Sequence, residues 1–404
     1  MSAASVVAAP GRLIGVILAV LTVFGPISLD LYLPVLPALS DDLGASASGA
    51  QLTMTACLLG LAFGQVFAGP LSDRYGRRPL LLVGVIAFVV TSVLCAMSTS
   101  IVQLIVLRLI QGLAGAVGLV IAQAGGRDVY QGTRLTRHYS RIAVLSGLAA
   151  IVAPVLGGQL AEVLDWRGFF LVLAGIGVVI LALVVVGYRE TLPVSLRVTG
   201  GLSTTGRHLR ILVTDRLFVV ATVASSLTSA AYFAYLAGAA YVLSDIYELS
   251  PGAFSLVFGL NAAGFALFGF LSGRLSETWS ERRVFAVGLV VITAGAAGLL
   301  VIALAALPLA ATVIAFLAIA AGAAIVSPPS TSLALRHYSA FAGTASSILG
   351  VARFSAGAIA APLVGIAGSM TMLPLAIVAL VSCVAAVGFF AAIPRHDAPV
   401  PPGH

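Results

Sequence analysis

About twelve runs of roughly 20 predominantly apolar residues fill most of this chain, and they leave few folds open. A run of that length, wound as a helix, crosses the hydrocarbon core of a bilayer. Lipid admits only structures that satisfy every backbone N–H and C=O internally. The runs fall at 12–38, 48–72, 79–98, 101–126, 138–161 and 167–188, then at 216–243, 252–275, 283–305, 307–329, 338–366 and 371–392. A more polar stretch, 189–214, separates the two sets and carries Arg189, Glu190, Arg197, Arg207 and Arg210. Composition agrees: charged residues make up 9% of the chain, against about a quarter in soluble domains. The first run is long, lacks a small-residue cleavage pattern and contains Asp30, so it reads as a retained helix rather than a signal peptide.

The net charge of +7 is placed by topology. Every basic residue is arginine, and most arginines fall in alternate links without the aromatic interleaving of a nucleic-acid surface. With a cytoplasmic N-terminus, the inner links hold Arg74, Arg77, Arg78, Arg127, Arg134, Arg137, the connector arginines, Arg274, Arg282, Arg283 and Arg336. The outer links hold Asp41, Asp42, Glu162, Asp165, Asp245 and Glu248, with Arg167 as their only basic residue. That asymmetry predicts a multi-pass protein with both termini cytoplasmic. Cys57, Cys95 and Cys383 lie inside runs without paired spacing and read as packing residues.

The link Gly69-Pro-Leu-Ser-Asp-Arg-Tyr-Gly-Arg-Arg-Pro79 sets Asp73, Arg74, Arg77 and Arg78 between two apolar runs, with Gly69 and Gly76 supplying tight backbone. One reading is a topogenic turn; the other is a working charge cluster. The second half echoes the first. Gly64, Gly69, Leu71, Ser72 and Arg74 recur at the same spacing as Gly264, Gly269, Leu271, Ser272 and Arg274, while Asp73 is matched by Gly273. Parallel six-helix repeats of this kind belong to a large class of secondary transporters. The fold class expected is an all-α polytopic membrane protein, twelve transmembrane helices in two pseudo-symmetric six-helix bundles. Its units would be residues 1–188, a cytoplasmic connector over 189–214, and residues 215–404 with a short cytoplasmic tail.

These motifs resemble the major facilitator superfamily, and within it the drug–proton antiporters of the bicyclomycin/chloramphenicol resistance type. The link matches the superfamily motif between helices 2 and 3, and Leu29-Asp-Leu-Tyr-Leu-Pro-Val-Leu-Pro37 resembles the first-helix motif of the subgroup. Arg108-Leu-Ile-Gln-Gly112 with Gly115 resembles the fourth-helix motif, Arg127-Asp128 closes that helix, and Glu190-Thr-Leu-Pro193 follows helix 6. The fifth-helix antiporter motif is partial: Pro154, Gly157 and Gly158 are present, with Ala149 and Ala153 where glycine is usual. The resemblance implies export of small amphipathic drugs or antibiotics across a bacterial inner membrane. It further implies a proton gradient as energy source, alternating access, no cofactor and a monomer. Export or uptake of an endogenous metabolite on the same fold is the alternative.

Three ionisable residues lie well inside runs: Asp30, Arg108 and Arg353. Each costs about 2.5–3.5 kcal/mol to insert, so each should face a cavity or a partner. Asp30 reads either as a satisfied buried carboxylate or as the group that exchanges the coupling proton and contacts substrate. Arg108 stands one turn before Gln111 on the same helix face. The resemblance implies that it points into the central cavity and influences protonation there; the other reading is a structural arginine on backbone carbonyls. Arg353 either tunes the charge preference for substrate or pairs with an inner-face acid. The resemblance implies that Asp73, Arg74, Arg77 and Arg78, with Arg127 and Asp128, latch the two halves together in the outward-open state. Tyr32, Gln65, Tyr232, Tyr235 and Asn261 are further polar or aromatic candidates for the cavity. His138, His208, His337, His396 and His404 sit in inner links or the tail, so no metal or catalytic constellation forms, and an enzyme is not expected.

Overall fold

Three prolines break what reads in the sequence as one first helix. In the computed structural model, which describes residues 12–130, 145, 149, 152–153, 155–197, 209–276, 278–336, 338, 342–368 and 370–393, the 12–38 run is divided. It forms α1 (Arg12–Leu21), α2 (Phe24–Asp30), a 3₁₀ turn over Leu33–Val35 and α3 (Leu36–Asp42). Pro26, Pro34 and Pro37 have no N–H to donate, and the rings of Pro34 and Pro37 crowd the turn before them. The single helix expected from length is therefore a set of short ones.

Long helices follow: α4 (Ala47–Tyr75), α5 (Arg77–Ala96), α6 (Ile101–Val129), α7, described over 155–161, and α8 (Trp166–Gly187). Of the rest of the 138–161 run only 145, 149 and 152–153 are described, with Ala149 and Ala153 buried; Pro154 lies outside the described residues, as do Arg134, Arg137, Arg207 and the five histidines. Within the connector, 209–214 form α9. Then come α10 (Arg216–Tyr241), continued by a π turn over Val242–Ile246, α11 (Pro251–Leu275), α12 (Glu281–Ala305), α13 (Leu309–Leu335), α14 (Ala342–Val364) and α15 (Leu373–Ala391). Among the described residues, 10 helices are long and apolar enough to cross a membrane. Their starts carry the expected caps. Ser46, Ser100, Asp165, Asp215, Ser250 and Ser280 each accept from an orphan amide three residues on.

Small residues set the helix contacts. A Cβ on Gly60 would stand 2.2 Å from Leu109 O, and one on Gly112 would stand 2.3 Å from Cys57 O, so α4 and α6 meet backbone to backbone. In the second half, a Cβ on Gly322 would stand 2.4 Å from Ile292 N, which joins α13 to α12 in the same way. Gly157 of α7 packs on the first-helix break, where its Cβ would stand 2.3 Å from Leu31 O.

The two helical groups meet chiefly through α4 and α14, with α10 resting on the 3₁₀ turn and α3. On the face away from the arginine-rich links, this contact is sealed. Ser48 Oγ donates to Pro362 O at 2.9 Å, Gln51 Nε2 to Ala237 O at 3.3 Å and Thr55 Oγ1 to Ala358 O at 3.0 Å. The space left beneath the seal is about 10 Å³, no more than one water. Gly365 lies within it, and a Cβ there would stand 2.6 Å from Ser48 N.

A Gly365→Val substitution should force the seal apart at a cost of about 1–3 kcal/mol. Labelling of Ser346→Cys, which lines the cavity on the arginine-rich side, by a bulky maleimide should fall severalfold. The native cysteines are fully buried and give a silent background. Labelling unchanged from the parent would show that the seal and the cavity are not coupled.

Candidate functional site

Between the helical groups, a cavity of about 710 Å³ opens toward the arginine-rich links. Its walls come from the ends of α4 and α6 on one side and the first turns of α14 on the other. The lining includes Gln65, Gly69, Asp73, Arg77, Arg127, Asp128, Ser346 and Arg353, with Leu209 of α9 at the rim. Of the residues singled out in the sequence, Gln65, Gly69, Asp73, Arg77, Arg127, Asp128 and Arg353 gather on one cavity. Asp30, Tyr32, Arg108, Gln111, Tyr232, Tyr235 and Asn261 are not part of its lining.

Arg108 is fully buried inside the first helical group rather than exposed to the cavity. Its Nη1 donates to Gln111 Oε1 at 2.5 Å and its Nη2 to Ser28 O at 2.8 Å. Gln111 in turn donates to Ser92 Oγ at 2.6 Å. The guanidinium lies over the Tyr32 ring at 4.4 Å and the Phe170 ring at 5.6 Å, and the Tyr32 hydroxyl meets Thr53 Oγ1 at 3.2 Å. Among the described residues, neither a hydrogen bond nor an ion pair joins Arg108 to Asp30. The charge is held by neutral dipoles and ring faces, an arrangement that ties α2, α5, α6 and α8 together.

Asp30 ends α2, half-buried, and makes no hydrogen bond or ion pair among the described residues. It lies within Coulombic reach of Tyr232 and Tyr235 on α10. Those rings belong to an aromatic group: Tyr232 meets Phe265 at 5.1 Å, and Tyr235 meets Phe316 at 4.9 Å and Phe258 at 5.9 Å. Asn261, 1% exposed, stands beside Tyr235.

Arg353 lies on the cavity wall, partly buried. Nε donates to Ser225 Oγ at 3.3 Å, and Nη2 to Ser330 Oγ at 2.8 Å and Thr331 Oγ1 at 3.1 Å. The inner-face acid considered as its partner is not found among the described residues.

The charge cluster on the arginine-rich face belongs to the first helical group in this conformation. Arg77 Nη1 pairs with Asp73 Oδ1 at 2.6 Å, and its Nε donates to Asp128 Oδ2 at 3.0 Å. Arg77 Nη1 also contacts Ser72 Oγ. Arg74 and Arg127 are exposed. Glu190 is the residue sequence reasoning undervalued. Its Oε1 accepts from Arg77 N at 2.9 Å and its Oε2 from Arg78 N at 3.2 Å, so it caps α5, and Arg197 Nη2 stands 3.5 Å from it. The signal was an acid directly after an apolar run, near the first amides of a neighbouring helix. Gly76 makes the approach possible: its φ is +99°, and a Cβ would stand 2.5 Å from Glu190 Oε2. Thr191 Oγ1 donates to Asp128 Oδ2 at 3.1 Å. Beside it, the Tyr188 hydroxyl meets Thr191 Oγ1 at 3.2 Å. On the opposite face, Asp42 accepts from Arg167 Nη1 at 2.6 Å and Trp166 Nε1 at 3.0 Å, which holds its carboxyl below the usual range.

Glu190→Ala removes the cap from α5 and should cost about 1 kcal/mol. Gly76→Ala should destabilise in the same direction, through φ and through the clash with the carboxylate. A thermal melt of the purified protein checks both. An unshifted midpoint for Glu190→Ala would show that the cap contributes nothing.

A family model described as Major Facilitator Superfamily matches residues 18–362. The uncharacterized MFS-type transporter YdgK of Bacillus subtilis (strain 168) is 34% identical over 377 residues, which cover 93% of this chain and 94% of the relative. A bicyclomycin resistance protein homolog of Haemophilus influenzae is 28% identical over 347 residues, 86% of this chain and 87% of that one. The crystal structure of a D-xylose-proton symporter shares the fold, with a TM-score of 0.78 at 16% identity over 95% of this chain and 98% of the other. All-helical, arranged around a central cavity and matched over most of its length, the chain belongs to the major facilitator superfamily of membrane transporters and is not an enzyme.

Proposed function

We propose that the protein is a proton-coupled efflux transporter that exports small amphipathic compounds by alternating access. The observation that carries this reading is Asp30, a carboxylate half-buried between the helical groups, beyond the cavity lining, with no ionic partner among the described residues. An intramembrane carboxylate in such a setting can hold a proton in one conformation and release it in another. Its nearness to Tyr232 and Tyr235 of the other half gives domain movement a direct means of changing its surroundings.

By the positive-inside rule the arginine-rich face is cytoplasmic, so the cavity loads from the cytoplasm in the conformation described. Its lining sets Val66, Leu119, Val120, Ile348 and Val351 beside polar and charged groups such as Gln65, Gln123 and Arg353, a mixture that suits amphipathic compounds. The resistance phenotype in the name of the Haemophilus influenzae relative supports antibiotics as substrates. When the cytoplasmic side closes, Asp73, Arg74, Arg127 and Asp128 would meet the second half. Gly69, which has nothing within 4 Å of a Cβ in the present packing, leaves room for that approach. Proton entry then supplies the energy for domain rocking, and the protein works as a monomer without a cofactor.

Inverted membrane vesicles, energised and challenged with bicyclomycin, chloramphenicol and other amphipathic antibiotics, provide the test. Several compounds should release protons from vesicles carrying the parent protein, and Asp30→Asn should abolish the response. Drug-triggered proton release that survives Asp30→Asn would remove Asp30 from the coupling step. No response to any compound in the parent would sink the exporter reading itself.

A further inference from the structure

Arg353 is a cation built into the wall of the cavity, and its immediate partners carry no charge. Nε and Nη2 are taken by Ser225, Ser330 and Thr331, which belong to α10 and α13, and by Ser327 O at 3.5 Å. Nη1 makes no hydrogen bond among the described residues and is not sealed from the cavity. Four neutral oxygens fix the guanidinium plane and leave its formal charge uncompensated. In a low-dielectric site that is a costly arrangement, because hydroxyl dipoles do not replace a counter-ion.

The opposite wall completes the geometry. Gln65 of α4 lines the same cavity and makes no hydrogen bond among the described residues. Its Oε1 lies 3.0 Å from where a Cβ on Gly350 would stand. Gly350 is one helical turn from Arg353, on the same face of α14. A side-chain amide from one half and a guanidinium from the other therefore line the same cavity, with Gln65 reaching α14 one turn from Arg353.

We infer that Gln65 and Arg353 form a recognition point for an oxyanion, and that the substrates bound best are amphiphiles bearing a carboxylate. The inference rests on the transporter reading for its biological use, and on the cavity geometry alone for binding. A carboxylate here accepts from Arg353 Nη1 and from the Gln65 amide while its apolar body lies along Leu119, Val120 and Ile348. The ion pair left open by the hydroxyl cage is then closed by the substrate.

Dansyl-leucine and its carboxamide, matched in shape and differing in charge, serve as probes. Their affinities for the full-length protein in lipid nanodiscs are read from dansyl fluorescence. The acid should bind about tenfold more tightly than the amide. In Arg353→Gln that ratio should fall to about one. Gln65→Leu, in the other half and independent of the hydroxyl cage, should lower it severalfold, so the test survives if Arg353→Gln does not fold. A parent ratio near one overturns the inference, as does an acid preference that persists in both variants. An Arg353-dependent preference without antibiotic-driven proton release would leave this site standing and remove the exporter reading. Antibiotic export with no acid preference would do the reverse.

Discussion

A backbone carbonyl freed from its helix has no water to turn to inside a bilayer, and leaving it bare costs several kcal/mol. Three such carbonyls organise this bundle. Pro329 cannot donate to Ile325 O, which Ser272 Oγ takes at 2.8 Å, joining α11 to α13. Pro362 leaves Ala358 O open, and Thr55 Oγ1 reaches it from the other half at 3.0 Å. Ser28 O, one turn before the first-helix break, receives Arg108 at 2.8 Å. Pro329 and Pro362 thus each create an acceptor that a side chain from a different helix meets. Ser272, Thr55 and Arg108 are polar residues inside the apolar runs that serve this requirement.

The repeat shows the same economy with different chemistry. Ser72 and Ser272 stand at matching positions, both fully buried. Ser72 returns to Gly69 O in its own helix, whereas Ser272 crosses to the carbonyl that Pro329 frees. The charges at the corresponding helix ends are reversed. In the first half an arginine at the start of α5 meets an acid at the end of α6; in the second, Glu281 at the start of α12 meets Arg336 just past α13, at 3.0 Å. Backbone packing is repeated, while ionic detail differs from one half to the other.

The membrane-spanning helical class, the basic face and the superfamily motifs were legible because bilayer thickness and charge placement act on each segment locally. Pro26, Pro34 and Pro37 were equally visible, yet hydropathy outweighed them in a reading based on run length, so the first-helix break was missed. The destination of Arg108 was not legible. Its helix face was clear, but nothing local distinguishes an arginine aimed at a cavity from one aimed at a carbonyl eighty residues away in sequence. Glu190 was noticed only as part of a motif. Its task as the cap of α5 depends on a contact across more than a hundred residues, which spacing within one segment does not encode.

The seal opposite the arginine-rich face has a chemical asymmetry. Ser48, Gln51 and Thr55 of the first half supply side-chain donors, while Ala237, Ala358 and Pro362 of the second supply only main-chain oxygens. A carbonyl is offered by every residue, so side chains along α14 and α10 can change without erasing the acceptors, provided Pro362 keeps Ala358 O free. The donors have no such latitude. Change around Arg353, away from Gly365 where any added side chain meets the seal, is thereby uncoupled from closure, and a change in what the cavity accepts need not disturb how the molecule shuts.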